Sequence, residues 1–265
     1  MQLKQLELVG GGALTVYLRD SCDRMPSAID RPLVLVVPGG GYTHVSAREG
    51  DPVALQFAAA GYHTAVLDYA ICEQAKNYLP LRQLAQAIGL VREHAAAWHV
   101  LPEKIAVCGF SAGGHLALSS AVLEIPGEAD QPRPDAVILA YPVVTAGEYA
   151  HRGSFAQLAG TADRAAQQAF GLEDKIMPET PPVFVWHTME DETVPVENTL
   201  LLVSALHRAG VPCEAHLFEK GCHGTSLSTA EVNHPSAHRS RWLTLAREWL
   251  DDTFDFHLGT GETGG

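Results

Sequence analysis

A serine set between glycines gives the strongest indication of chemistry in this sequence. Ser111 is the central residue of Gly109-Phe110-Ser111-Ala112-Gly113, which follows an apolar segment and precedes a helical pattern. A sharp turn from a strand into a helix would expose the serine oxygen, because small residues two positions away leave room around it. The helix dipole then favours negative charge near that oxygen. The pattern predicts a nucleophile at Ser111, and its alternative is a glycine-rich turn whose serine caps a helix.

A serine nucleophile needs a base to accept its proton and an acid to orient that base. The candidate acids are Glu190, Asp191 and Glu192, which are adjacent and follow the apolar segment Val183–His187. The candidate base is His223, on the loop after the last predicted strand. Because these loops follow parallel strands, we expect them to meet Ser111 at one edge of the sheet.

The chain has thirteen histidines, so the position of one of them is modest evidence on its own. The competitors of His223 are His44, His115, His187 and His234. We expect His187 to lie in the core or to support the site, His115 to pack beneath it, and His44 to lie near the substrate. No H-E-x-x-H pair occurs, so the sequence predicts no metal site.

A glycine-rich loop, Pro38-Gly39-Gly40-Gly41-Tyr42, follows the first strongly apolar segment. Glycines allow backbone N–H groups to face a substrate oxygen with no side chain in the way. We therefore expect Gly40, Gly41 and the amide of Ala112 to bind the oxyanion, with Tyr42 beside the substrate. The alternatives are a tight turn or a phosphate-binding loop. The dinucleotide pattern G-x-G-x-x-G is absent, which disfavours a nucleotide cofactor.

Short apolar segments alternate with helical patterns along the chain, as expected for a mostly parallel sheet covered by helices on both faces. The predicted strands after the opening hairpin are Leu33–Val37, His63–Leu67, Ile105–Cys108, Ala136–Ala140, Val183–His187 and Cys213–Phe218. The predicted helices are Asp51–Ala60, Leu81–Trp98, Gly113–Val122, Asn198–Ala209 and Ser236–Leu250. We expect one α/β domain over residues 1–258, a cap-like insertion at about 141–182, and a disordered tail at 259–265.

Composition excludes some partners. The formal net charge of the 265-residue chain is −13, and its Lys and Arg residues form no cluster that would suit nucleic acid. No apolar stretch is long enough to span a membrane, and the first residues lack the apolar region of a secretory signal. Five scattered cysteines indicate reduced thiols, so we expect a cytoplasmic protein. A homo-oligomer is left open.

With these residues assembled, the chain resembles the acetyl-esterase and lipase branch of the α/β-hydrolases. More narrowly it is similar to the bifunctional feruloyl and acetyl xylan esterases, from about Leu33 to Leu227. The segments that carry the resemblance are Val36–Tyr42, Arg48–Ala54, Gly109–Ala117, Pro181–Thr188, Asp191–Asn198 and Gly221–Gly224. The resemblance implies an α/β-hydrolase fold with a sheet of about eight strands. It also selects Asp191 as the acid, because D-x-x-V-P at the end of the penultimate strand is the usual acid position in these hydrolases.

The resemblance implies a serine esterase that uses Ser111, Asp191 and His223, without a metal or cofactor. Its substrates would be small-molecule or oligosaccharide esters that carry short acyl groups, typically acetyl groups on sugars. One alternative is a peptidase or amidase with the same three residues, and another is a general short-chain lipase or carboxylesterase. A third is a non-catalytic binding module that has kept the fold.

Overall fold

The central feature of the fold is one eight-stranded sheet, seen in a computed structural model that describes residues 1–22, 24–128 and 130–258. The strands are β1 (Gln2–Glu7), β2 (Ala13–Leu18), β3 (Arg31–Val37), β4 (His63–Asp68), β5 (Val100–Phe110), β6 (Ala136–Ala140), β7 (Val183–Thr188) and β8 (Cys213–Phe218). Their order across the sheet is β1-β2-β4-β3-β5-β6-β7-β8. The first two strands pair antiparallel at one edge and all later pairs except β2–β4 are parallel, so the predicted fold class is confirmed.

Helices cover both faces of the sheet. The α-helices of the described residues are α1 (Asp51–Ala59), α2 (Leu79–Glu93), α3 (Ala95–Trp98), α4 (Ala112–Val122), α5 (Arg152–Ala159), α6 (Arg164–Gln167), α7 (Glu197–Ala209) and α8 (Trp242–Phe254). None of the helices in that part of the chain is both long and apolar enough to cross a membrane.

Two helix predictions were wrong in detail. The helix predicted over Leu81–Trp98 is divided at His94, whose imidazole bonds back to the Leu90 carbonyl and stacks on Trp98. The last helix begins at Trp242 and not at Ser236, because a short 3-10 turn at Arg239–Arg241 precedes it. Strand β5 is also longer than predicted, because Val100 pairs with Arg31 and a register shift separates this pair from Leu33 and Ile105.

The register of the parallel strands brings the site loops together. Strand β3 is buried along its whole length, which explains its uninterrupted run of branched apolar residues. Val37 at its end pairs with Gly109, two residues before Ser111, while Phe110 pairs with Ala140 at the end of β6. The loops that follow β3, β5, β7 and β8 therefore leave the sheet at its carboxyl edge.

The segment predicted to form a cap, residues 141–182, contains α5 and α6. The side chain of Asn198 on α7 forms hydrogen bonds with its backbone. The buried Asn198 accepts hydrogen bonds from the amides of Val144 (2.9 Å) and Thr145 (3.0 Å) and donates to the carbonyl of Tyr149 (2.9 Å). The segment is thus held at the carboxyl edge, next to Ser111. The tail predicted to be disordered, 259–265, lies outside the described residues.

Candidate active site

Ser111 occupies a strained turn between β5 and α4. Its backbone dihedrals, φ 53° and ψ −119°, are unfavourable for any residue that carries a Cβ atom. The glycines of the motif explain how the turn fits. A methyl group on Gly109 would collide with the carbonyl of Gly113, and one on Gly113 would collide with the carbonyls of Val37 and Pro38. The predicted spacing of glycine, serine and glycine is therefore a packing requirement of this turn.

Ser111, His223 and Asp191 form a continuous hydrogen-bonded chain. The Oγ atom of Ser111 lies 2.7 Å from Nε2 of His223, and Nδ1 of His223 lies 2.6 Å from Oδ2 of Asp191. A carboxylate can only accept a hydrogen bond, so the proton of the neutral imidazole resides on Nδ1. Nε2 is then free to accept the proton of the serine hydroxyl, which is the arrangement that a general base requires.

Asp191 is held by four donors. Its Oδ1 accepts from the amides of Thr193 (3.0 Å) and Val194 (2.9 Å), while His187 approaches Oδ2 at 3.2 Å beside His223. Burial alone would raise the pKa of Asp191. The hydrogen bonds from His187 and His223, with the charge of His223 and the Val194 amide, outweigh burial, and the pKa falls well below its usual range. Asp191 is therefore a carboxylate at neutral pH.

The two neighbouring acids do not reach the imidazole. Glu190 and Glu192 are exposed, and Glu190 accepts a hydrogen bond from the amide of Gly221 at 3.0 Å. Of the three adjacent carboxyl groups, the structure brings only that of Asp191 into contact with His223.

The glycine-rich loop after β3, the predicted oxyanion loop, lies against Ser111 and has free backbone donors. Gly40 (φ 128°) and Gly41 (φ 63°) have left-handed conformations, and a methyl group on Gly40 would collide with the carbonyl of His44. Within the described residues, the N–H groups of Gly40, Gly41 and Ala112 donate to no protein acceptor. Three such amides around a nucleophile can hold the negative oxygen of a tetrahedral intermediate.

The expectation that Tyr42 lies beside the substrate is wrong for its side chain. The ring is fully buried, and its hydroxyl bonds Nδ1 of His115 at 2.9 Å beneath the site. The cause is local, because Tyr42 has a left-handed backbone (φ 59°) that turns the ring into the core. Tyr42 supports the loop from below and does not line the cavity.

Three of the competing histidines lie where the sequence analysis expects them, and no position was predicted for the fourth, His234. His187 is buried and accepts from Thr199 at its Nδ1, and His115 is buried and bonds the Phe170 carbonyl. His44 lines the cavity above Ser111. His234 lies 3.7 Å from the thiol of Cys222, on the loop next to His223.

A buried network that sequence reasoning missed joins two of the site loops. The carboxylate of Glu49 accepts from the amide of Gly39 (2.9 Å) and from the hydroxyl of Tyr141 (2.7 Å). The same hydroxyl accepts from the amide of Ser226, on the loop that carries His223 (2.9 Å). The edge of the Tyr141 ring also packs against the imidazole of His223. Glu49 lies in the segment Arg48–Ala54, which carries the family resemblance, and Tyr141 follows the predicted strand Ala136–Ala140, but neither pattern assigns a contact to these residues.

A cavity of about 270 Å³ opens above Ser111 and His223. Its remaining lining comes from the oxyanion loop, the loops after β7 and β8, and the insertion. These residues are Gly40, Gly41, Thr43, His44, Ser46, Arg48, Glu49, His151, Thr193 and Gly224. Among the residues that the structure describes, the lining contains no aliphatic and no aromatic hydrocarbon side chain. His151 was missed at the sequence level, because the insertion has no periodic pattern that would place it.

A nucleophile elbow, a Ser–His–Asp chain and free loop amides at the carboxyl edge of a mostly parallel sheet define the α/β-hydrolase class. Comparison with known proteins agrees. Residues 24–135 match the BD-FAE family model. The chain is 35% identical to MGS-M1, an α/β-hydrolase from a Medee basin deep-sea metagenome library, with a TM-score of 0.81 over 96% of this chain and 98% of that one.

The names of two further relatives refer to a xyloside and to xylanase activity. An acetyl ester-xyloside bifunctional hydrolase from Caldicellulosiruptor lactoaceticus is 34% identical, with a TM-score of 0.81 over 94% of this chain and 90% of that one. Endo-1,4-beta-xylanase B of Butyrivibrio fibrisolvens is 34% identical over 77% of this chain, which spans 34% of the xylanase's length. The chain belongs to the α/β-hydrolases, and within them to the carboxylic ester hydrolases.

Proposed function

We propose that this protein is a serine esterase that removes acetyl and other short acyl groups from carbohydrate esters. The observation that carries the proposal is the lining of the cavity above Ser111, which consists of glycines and polar side chains. A long acyl chain would find no aliphatic or aromatic hydrocarbon side chain among the described lining residues, whereas sugar hydroxyls would find hydrogen-bond partners. The names of the relatives, an acetyl ester-xyloside hydrolase and a xylanase, support the same class of substrate.

The reaction proceeds in two acyl transfers. In the first, His223 Nε2 takes the proton of Ser111 as Oγ attacks the ester carbonyl carbon. The amides of Gly40, Gly41 and Ala112 hold the oxyanion, at roughly 3–4 kcal/mol for each donor. His223 then gives that proton to the departing alcohol oxygen as the ester C–O bond breaks, and the acyl group remains on Ser111.

The second transfer repeats these steps with water in place of the alcohol. His223 removes a proton from water, which attacks the acyl-serine, and the proton returns to Oγ as the acid leaves. Asp191 holds the Nδ1–H tautomer throughout and stabilises the imidazolium that forms in each half of the reaction.

A series of p-nitrophenyl esters, measured beside acetylated xylo-oligosaccharides, tests the proposal. We expect the highest kcat/KM with acetyl, a steady fall from butanoyl to octanoyl, and release of acetate from the oligosaccharide. A preference for octanoyl esters with no acetate release would indicate a lipase and contradict the proposal. Turnover of aryl amides as fast as the matching aryl esters would indicate an amidase.

A further inference from the structure

His151 is a cavity residue that the triad and the oxyanion loop do not use. It precedes α5 as the N-cap residue, and its Nδ1 accepts from the backbone amide of Ser154 (3.3 Å) beside the Ser154 hydroxyl (2.8 Å). Its ring lines the same cavity as Ser111 and His223. The helix start therefore fixes the orientation of an imidazole inside the candidate active site.

The cap also fixes the tautomer of His151. A backbone N–H can only donate, so Nδ1 must be the unprotonated nitrogen and the neutral ring carries its proton on Nε2. Burial lowers the pKa of His151, and the charge of His223 lowers it further against an opposing effect of Asp191. Nε2 has no hydrogen-bond partner among the described protein atoms, so it is a neutral donor available to a ligand.

The donor of His151 is additional to those that the oxyanion needs. Its Cε1 faces the oxyanion loop, since a methyl group on Gly41 would lie 3.6 Å from it. The amides of Gly40, Gly41 and Ala112 already supply three donors, which is as many as one oxyanion accepts well. A fourth, fixed donor in a cavity without hydrocarbon side chains suits a different oxygen of the substrate.

We propose that His151 determines specificity by donating its Nε2–H to a hydroxyl or ring oxygen in the polyhydroxylated alcohol part of the substrate. This proposal rests on the proposed function and assigns one of its recognition contacts. A simple aryl ester such as p-nitrophenyl acetate has no hydroxyl to receive this hydrogen bond. His151 should therefore matter for sugar esters and be nearly irrelevant to aryl esters.

Two substitutions separate the cap from the donor. In His151→Asn, the side-chain oxygen of asparagine, a favoured N-cap residue, still accepts from the Ser154 N–H. The shorter side chain has no donor at the position of Nε2. In His151→Gln, the longer amide restores a donor near that position and gives up the cap. Both variants are compared with wild type on an acetylated xylo-oligosaccharide and on p-nitrophenyl acetate, with the thermal midpoint measured in parallel.

We expect His151→Asn to lower kcat/KM for the oligosaccharide about fivefold to tenfold, as for loss of one neutral hydrogen bond. Its turnover of p-nitrophenyl acetate should stay within about twofold and its thermal midpoint should not change, because the cap is retained. His151→Gln should lower the thermal midpoint and retain more of the oligosaccharide activity than His151→Asn.

If His151→Asn lowered the activity on both substrates equally, the His151 donor would act on the oxyanion and not on the sugar. That result would overturn the proposal. Unchanged activity on both would leave His151 as a helix cap only, and would also overturn it. In either case a wild-type enzyme that deacetylates the oligosaccharide leaves the proposed function standing. A wild-type enzyme that hydrolyses neither substrate would overturn the proposed function and the role of His151 together.

Discussion

The hydroxyl of Tyr141 donates to the carboxylate of Glu49 across 2.7 Å. This pair connects the oxyanion loop to the loop that carries His223. Both side chains are at least 98% buried. Burial, followed by the charge and hydrogen bond of Glu49, raises the pKa of Tyr141 well above its ordinary value, so the hydroxyl keeps its proton at all physiological pH values. The distance between Gly39 and the loop after β8 is thus set by a hydrogen-bonded bridge.

Replacing Tyr141 by phenylalanine should therefore affect both stability and turnover. Tyr141→Phe leaves the Ser226 amide and one oxygen of Glu49 without their partner, at a cost of about 1–3 kcal/mol in the free energy of unfolding. We expect kcat to fall with KM little changed, since Tyr141 positions reacting groups and does not itself line the cavity. Urea unfolding and ester kinetics measure the two effects.

Tyr17→Phe is the matched control, because Tyr17 also donates to a carboxylate, that of Asp51, at 2.6 Å outside the site. This control should leave kcat unchanged. A Tyr141→Phe enzyme with wild-type kcat would show that the bridge does not set the geometry of the site.

Asp191 should be the only one of the three adjacent acids whose amide variant abolishes efficient catalysis. Asp191→Asn replaces an acceptor of the His223 Nδ1–H by a group that favours the wrong tautomer, and kcat should fall about ten-thousand-fold. Glu190→Gln and Glu192→Gln should retain activity within about threefold, since exposed carboxylates contribute little. Kinetics of the three variants on p-nitrophenyl acetate provide the comparison, and similar losses in all three would assign the acid elsewhere.

Acidification should weaken the fold through a buried neutral histidine beneath the site. Burial is the main cause that lowers the pKa of His115 from 6.5 to about 4, against a smaller opposite effect of its hydrogen bond to Phe170. Because the folded pKa lies below the unfolded one, the unfolded chain binds more protons between pH 6.5 and 4. The free energy of unfolding therefore falls as pH falls through this window, by up to about 3 kcal/mol from His115.

His115→Gln should reduce this pH dependence, as measured by urea unfolding at pH 7 and pH 4.5, while the buried His63, whose pKa burial also lowers to about 4, keeps its own share. The exposed His207 on α7 serves as the control, and His207→Gln should preserve the wild-type slope. If His115→Gln loses as much stability on acidification as wild type does, His115 is already protonated in the folded protein.

The parts of the structure that follow from short-range sequence rules were predictable. The strand Ala136–Ala140 matches its predicted bounds, and the strand predicted over Leu33–Val37 begins two residues earlier, at Arg31. Both were predictable because parallel strands buried on both faces leave long apolar runs. The positions of Ser111, Asp191 and His223 on loops after strands were also predictable, since the carboxyl ends of parallel strands share one edge. Hydrogen bonding among the three is a finding of the structure.

Other features depend on contacts that no local pattern encodes. The inward turn of Tyr42 follows from a left-handed backbone, which the sequence does not reveal for a tyrosine. His151 reaches the cavity from an insertion without periodicity, and the network of Glu49 and Tyr141 joins residues 92 positions apart. The break at His94 was missed because the apolar stripe continues through it.

The central claim is acyl transfer through Ser111, and one experiment tests it most directly. Wild type, Ser111→Ala and the exposed control Ser204→Ala are each treated with a fluorophosphonate probe and assayed on p-nitrophenyl acetate. We expect a single adduct on wild type and on Ser204→Ala, no adduct on Ser111→Ala, and a loss of at least about ten-thousand-fold in kcat/KM for Ser111→Ala. Wild-type turnover by Ser111→Ala, or an adduct on another residue, would contradict the assignment of Ser111 as the nucleophile.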